Sequence, residues 1–170
     1  LGLGALPLIM NGAYLPALAL IMLNRLMDGL DGEVARQTTP TDRGAFLDIA
    51  LDFFLYATIP LAFAIADPAA NALAAAVVIT SFVGTGSSFL AFAVIAEKRG
   101  LPPSAYTGKG IHYLSGLTEG TETVAFFVAI CVFPDFFAEI AYGFAIACLI
   151  TTFTRWAQGM KAFDNTGDAS

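Results

Sequence analysis

Five apolar stretches, at residues 13–27, 44–66, 69–96, 121–133 and 136–157, dominate this chain. Each approaches the roughly 20 residues that a helix needs to cross the hydrocarbon of a bilayer. The fourth is short, but it extends backwards through residues 114–122 if polar positions are admitted. A further apolar run at 1–10 is too short to span alone, and the chain opens inside it without an initiator Met. The expectation is therefore an all-α polytopic membrane bundle of six transmembrane helices, the first truncated at its N-terminus. Residues 1–170 form a single transmembrane domain in this reading. Composition agrees, because a soluble domain of 170 residues, 57% hydrophobic and 13% charged, cannot hide that much apolar surface from water.

The breaks between the runs predict the topology. Asn11-Gly12, Asp67-Pro68 and Pro134-Asp135 are turn-forming pairs, whereas residues 28–43 and 97–112 make longer polar links. With six alternating spans, all eight basic residues (Arg25, Arg36, Arg43, Lys98, Arg99, Lys109, Arg155 and Lys161) fall on one side. The opposite side carries only Asp67, Asp135 and Glu139. The excess of Lys and Arg makes the first side cytoplasmic, in an integral membrane protein of the bacterial or archaeal inner membrane. A net charge of −6 argues against binding nucleic acid, which requires a basic surface. Cys131 and Cys148 lie in apolar runs and read as small hydrophobes, with no metal spacing and no disulfide framework.

The acids are not spread evenly: six of fourteen fall between Asp28 and Asp52. Asp28 and Asp31 are three apart on the end of the second span, and Asp48 and Asp52 are four apart at the start of the third. Each pair shares one face of its helix. Spans joined by a short link are antiparallel neighbours, so the four carboxylates are expected to converge. Glu33 and Asp42 fit a solvated acidic loop, but Asp48 and Asp52 have apolar neighbours on nearly every side. Carboxylates without a basic partner for each repel one another in a partly dry site unless cations balance them. Hard oxygen donors suit Mg²⁺, Mn²⁺ or Ca²⁺, and four carboxylates suit the two-ion clamp used in phosphoryl transfer.

These residues carry a resemblance. Asp28, Asp31, Gly32, Ala35 and Arg36, then seven residues, then Gly44, Asp48 and Asp52 fill all eight fixed positions of D-x-x-D-G-x-x-A-R…G-x-x-x-D-x-x-x-D. That pattern resembles the signature of the CDP-alcohol phosphatidyltransferases, whose six-helix layout is similar too. The resemblance implies transfer of a phosphatidyl group from a CDP-linked lipid such as CDP-diacylglycerol to a small alcohol, with release of CMP, in phospholipid biosynthesis. It implies two Mg²⁺ or Mn²⁺ ions held by Asp28, Asp31, Asp48 and Asp52, with Asp52 as general base. Gly32, Ala35 and Gly44 would let the CDP moiety approach, and Arg36 would serve as a phosphate or structural partner. The partners implied are the lipid donor, the alcohol acceptor and membrane lipid, with a homodimer as the assembly common in the family. The family often carries nucleotide-holding polar residues near the start of its first span, and this chain lacks them.

The fifth span opens on polar residues. Ser115, Glu119 and Glu122 share a stripe, and intramembrane carboxylates generally face a cavity, so with Lys109 they form the expected acceptor pocket. Lining that pocket with carboxylates favours a hydroxyl-rich or cationic acceptor. His112 lies in the same link and reads as incidental. The small residues Gly84-Thr85-Gly86-Ser87-Ser88 read as a close helix contact. Three other readings stay open: an intramembrane prenyltransferase, which usually has more spans and lacks these glycines; a divalent-cation transporter, which tends to repeat its broken helices; and a relative without catalysis.

Overall fold

The computed structural model describes residues 2–37, 41–100 and 120–164, the side chains of 31–37 aside. A 3-10 turn (Gly2–Gly4) leads into α1 (Ala5–Met10), followed by α2 (Tyr14–Gln37), α3 (Asp42–Ala66) and α4 (Pro68–Lys98). After the second link come α5 (Gly120–Val132), a 3-10 turn (Pro134–Phe136) and α6 (Phe137–Ala162). The tight turns fall at the expected pairs. Gly12 sits at φ +75°, where a side chain would be strained. The Asp67 carboxylate accepts from the Ala70 N–H at 3.1 Å and Pro68 opens α4, which together start that helix cleanly.

Three segments are long and apolar enough to cross a membrane: α3, α4, and the last turn with α6. The protein is an all-α integral membrane bundle on that ground. The other helices follow the order of the apolar runs, but α1 has six residues, α5 has thirteen, and α2 ends in charged sequence.

One expectation is corrected. Residues 28–37 are not a polar link, because α2 runs on through the first aspartate pair to Gln37 and α3 begins at Asp42. Glu33, Ala35, Arg36 and Gln37 are good helix formers, so the helix propagates past the apolar zone. The backbones of α2 and α3 stand apart, and the two helices meet through side chains, Tyr14 on Phe63 and Arg25 on Asp52. Among the described residues the helices close a ring in the order α2, α1, α3, α4, α6, α5 and back to α2, with α1 packed against both α2 and α3. A short loop constrains only the ends it joins, and α1 with the Gly2–Gly4 turn holds the remainder apart.

Aromatic rings fasten this ring of helices from inside. Phe63 stacks between Tyr14 (5.3 Å) and Phe137 (4.7 Å), tying α3 to α2 and α6. Tyr56 packs on Phe82 (5.9 Å) and Phe127 (5.8 Å). The small residues of α4 are contact points, as expected. A Cβ on Gly86 would lie 2.5 Å from the Phe53 ring of α3, and one on Gly84 would lie 3.0 Å from the Thr152 hydroxyl of α6.

Candidate active site at the α2–α3 cleft

Because α1 keeps α2 and α3 apart, a cleft of about 250 Å³ opens between them. Asn24, Arg25 and Asp28 line it from α2, Asp48, Leu51, Asp52, Phe54 and Leu55 from α3, and Gly2 and Leu3 from the first turn. Gly2 approaches closely: its N–H donates to the Asn24 side-chain oxygen at 2.9 Å, and a Cβ there would lie 2.8 Å from Leu55. Three expected site residues, Asp28, Asp48 and Asp52, therefore meet in one space. They do so although they come from both halves of the motif.

The cleft has two characters. Its carboxylates stand beside Leu51 and Phe54, which are 58% and 56% exposed on the outside of the bundle. Such surface belongs in lipid rather than water. A ligand in this cleft meets acid on one side and hydrocarbon on the other.

The helix registers explain the clustering. Arg25 is three residues before Asp28, and Asp52 is four before Tyr56, so each motif stripe extends one turn deeper into the bundle. The deeper residues meet across the cleft. Arg25 Nη2 lies 2.7 Å from Asp52 Oδ1, and Nη1 lies 3.5 Å from Asp28 Oδ2. The Tyr56 hydroxyl donates to Asp52 Oδ2 at 3.3 Å and accepts from Arg25 Nη1 at 3.4 Å. Both oxygens of Asp52 are thus engaged. Arg25 is a partner shared by two of the carboxylates, so there is still no basic partner for each. Arg25, Tyr56 and Asn24 are the site residues that sequence reasoning missed. Carrying each stripe one turn further would have found the first two.

Three carboxylates against one guanidinium still leave an excess of negative charge in the cleft. Its acidic donors are all carboxylate oxygens, with no thiol or imidazole, which fits hard divalent cations. Among the described residues no group of three acidic, His or Cys side chains is close enough to share one ion.

The remaining expected residues are less informative. Asp31, Gly32, Ala35 and Arg36 lie on α2, and their side chains are outside the described set. Gly44 stands in the first turn of α3, where its N–H meets the capping Thr41 hydroxyl at 3.2 Å. Among the described residues, a Cβ there would meet the Thr41 hydroxyl at 3.1 Å. Lys109, His112, Ser115 and Glu119 fall outside the described residues. Glu122 is exposed in the first turn of α5 and does not line the cleft.

Comparison with known proteins places this site in a family. The profile of the CDP-alcohol phosphatidyltransferases matches residues 3–156. The chain belongs to that family. It has the phosphotransferase activity typical of CDP-alcohol phosphatidyltransferases, and the match takes in α2 and α3, whose carboxylates line the cleft. The chain is also 52% identical over 155 residues to "Inner membrane protein YnjF" of Escherichia coli (strain K12), covering 91% of this chain and 75% of that protein. No solved structure matches.

Proposed function

We propose that this protein transfers a phosphatidyl group from a CDP-linked lipid such as CDP-diacylglycerol to the hydroxyl of a small alcohol, releasing CMP, in phospholipid biosynthesis. The observation that carries this reading is the amphipathic cleft. A CDP-lipid is itself a charged pyrophosphate joined to hydrocarbon, and Asp28, Asp48 and Asp52 stand beside the outward-facing Leu51 and Phe54.

Asp52 accepts the proton of the acceptor hydroxyl as that oxygen bonds to the lipid-side phosphorus. The bond from this phosphorus to the CMP oxygen breaks, and CMP leaves with the electron pair. Asp28, Asp31, Asp48 and Asp52 would hold two Mg²⁺ or Mn²⁺ ions, which when bound would neutralise charge on the pyrophosphate and the leaving group. Gly32, Ala35 and Gly44 give the nucleotide close access to the helices, Gly44 from the first turn of α3. Arg36 pairs with a phosphate. The acceptor enters by the polar opening of α5, where Ser115, Glu119, Glu122 and Lys109 select it. The six helices all cross the membrane in this reading, with the site at the cytoplasmic face. Similarity to YnjF, whose name places it in the inner membrane, supports that membrane for this chain. A homodimer is the assembly that the family suggests.

A panel of acceptors tests the reaction and its specificity together. Purified protein with CDP-diacylglycerol and Mn²⁺ is offered glycerol phosphate, inositol phosphate, inositol, serine and choline in turn. One or more is expected to yield a new phospholipid, with a cationic or hydroxyl-rich alcohol ahead of the phosphorylated ones. Turnover with sugar or glycerol phosphates alone would refute the preference assigned to Glu119 and Glu122. No product from any alcohol would refute the reaction.

A further inference from the structure

The motif of aspartates does not include Arg25, yet Arg25 is the residue on which the cleft converges. Its side chain is 13% exposed and bridges α2 to α3 through Asp52 at 2.7 Å, with Asp28 at 3.5 Å on the same guanidinium. The guanidinium also lies 5.7 Å from the centre of the Tyr56 ring, and that ring is clamped by Phe82 and Phe127. Asp52 is therefore fixed from both oxygens, by an arginine on one and a core-anchored hydroxyl on the other. Orientation of that kind is what a general base needs, since its acceptor atom must sit within hydrogen-bond reach of the reacting hydroxyl.

The pair is also incomplete. Arg25 Nε is buried and has no hydrogen-bond partner among the described residues, and a buried unpaired donor is costly. The cation at the centre of the pair sits among the carboxylates that suit divalent ions, and like charges in one small cleft oppose each other.

We propose that Arg25 is a positioning residue for Asp52 and the resident cation of the cleft, orienting the base while opposing divalent ions at the same carboxylates. The positioning half rests on the reaction proposed above, whereas the resident-cation half does not. Two measurements on the full chain in detergent separate them: Mn²⁺ affinity, read from the electron paramagnetic resonance signal of free Mn²⁺, and steady-state release of CMP from CDP-diacylglycerol.

Arg25→Met removes the charge and the fork. It is expected to bind Mn²⁺ about tenfold more tightly than wild type, while kcat falls about 10- to 100-fold and KM for the donor changes less than about threefold. A merely structural role would loosen Mn²⁺ binding rather than tighten it. Arg25→Lys keeps the charge but not the planar fork, so its Mn²⁺ affinity stays within about threefold of wild type while kcat still falls. Should Arg25→Met fail to fold, Tyr56→Phe decides the positioning half, with a severalfold fall in kcat at unchanged Mn²⁺ affinity, and Arg25→Gln decides the other half by tightening Mn²⁺. Mn²⁺ affinity equal to or weaker than wild type in the charge-removing variants overturns the resident cation. Wild-type kcat in Arg25→Lys or Tyr56→Phe overturns the positioning role. Tighter Mn²⁺ binding in a protein that never releases CMP would leave the resident cation standing and sink the reaction instead.

Discussion

Asp52→Asn is expected to slow CMP release by roughly 10²- to 10⁴-fold, the usual contribution of a positioned base. Asparagine keeps the size of the side chain and can still accept from Arg25, which lies 2.7 Å from Oδ1 in the native protein. It cannot take a proton from the acceptor. The loss therefore falls on kcat, with KM for CDP-diacylglycerol changing less than about threefold. The variant also leaves the Arg25 guanidinium, 13% exposed, without its nearest counter-charge, so a lower melting temperature accompanies the kinetic effect. Rates are accordingly compared well below both melting temperatures. Release of CMP at the wild-type rate would remove Asp52 from the chemistry.

Removal of divalent cations is expected to have an effect at least as large. The cleft gathers Asp28, Asp48 and Asp52 around one guanidinium, and a pyrophosphate brings further negative charge into the same space. One arginine cannot offset both. Cations stabilise the charge of the leaving group by several kcal/mol, and each 1.4 kcal/mol is a factor of ten in rate. Dialysis against EDTA should lower CMP release by about 10³-fold or more, and added Mg²⁺ or Mn²⁺ should restore it. Asp48→Asn should raise the Mn²⁺ concentration needed for half-restoration. Undiminished turnover in EDTA would show that the carboxylates serve another purpose.

Much of this site is legible in the sequence, and the reason is local. Within a helix, spacing fixes direction, so Asp48 and Asp52 had to share a face of α3, and both line the cleft with Asp28. The order of helices and their tight turns followed from apolar runs and from pairs such as Asp67-Pro68. What the sequence did not reveal was set by distant contacts. That α1 lies between α2 and α3 depends on packing among residues far apart in the chain, which no short-range pattern encodes. Arg25 was read as a charge that sets topology because an arginine near the end of a span usually is one. Its role appears only once Asp52 and Tyr56, on another helix, are brought beside it. The extent of α2 was missed for a different reason. Hydropathy marks where a span leaves lipid, not where a helix stops, and good helix formers carried α2 on to Gln37.

The central claim is that the cleft between α2 and α3 joins an alcohol directly to the lipid-side phosphorus of a CDP-lipid. Counting both products of one reaction tests it most directly. With CDP-diacylglycerol, Mn²⁺ and a productive alcohol, CMP and the new phospholipid should form in equal amounts, and omitting the alcohol should stop both. CMP released at the same rate without any alcohol, accompanied by phosphatidic acid, would mean that water is the acceptor and would contradict the account.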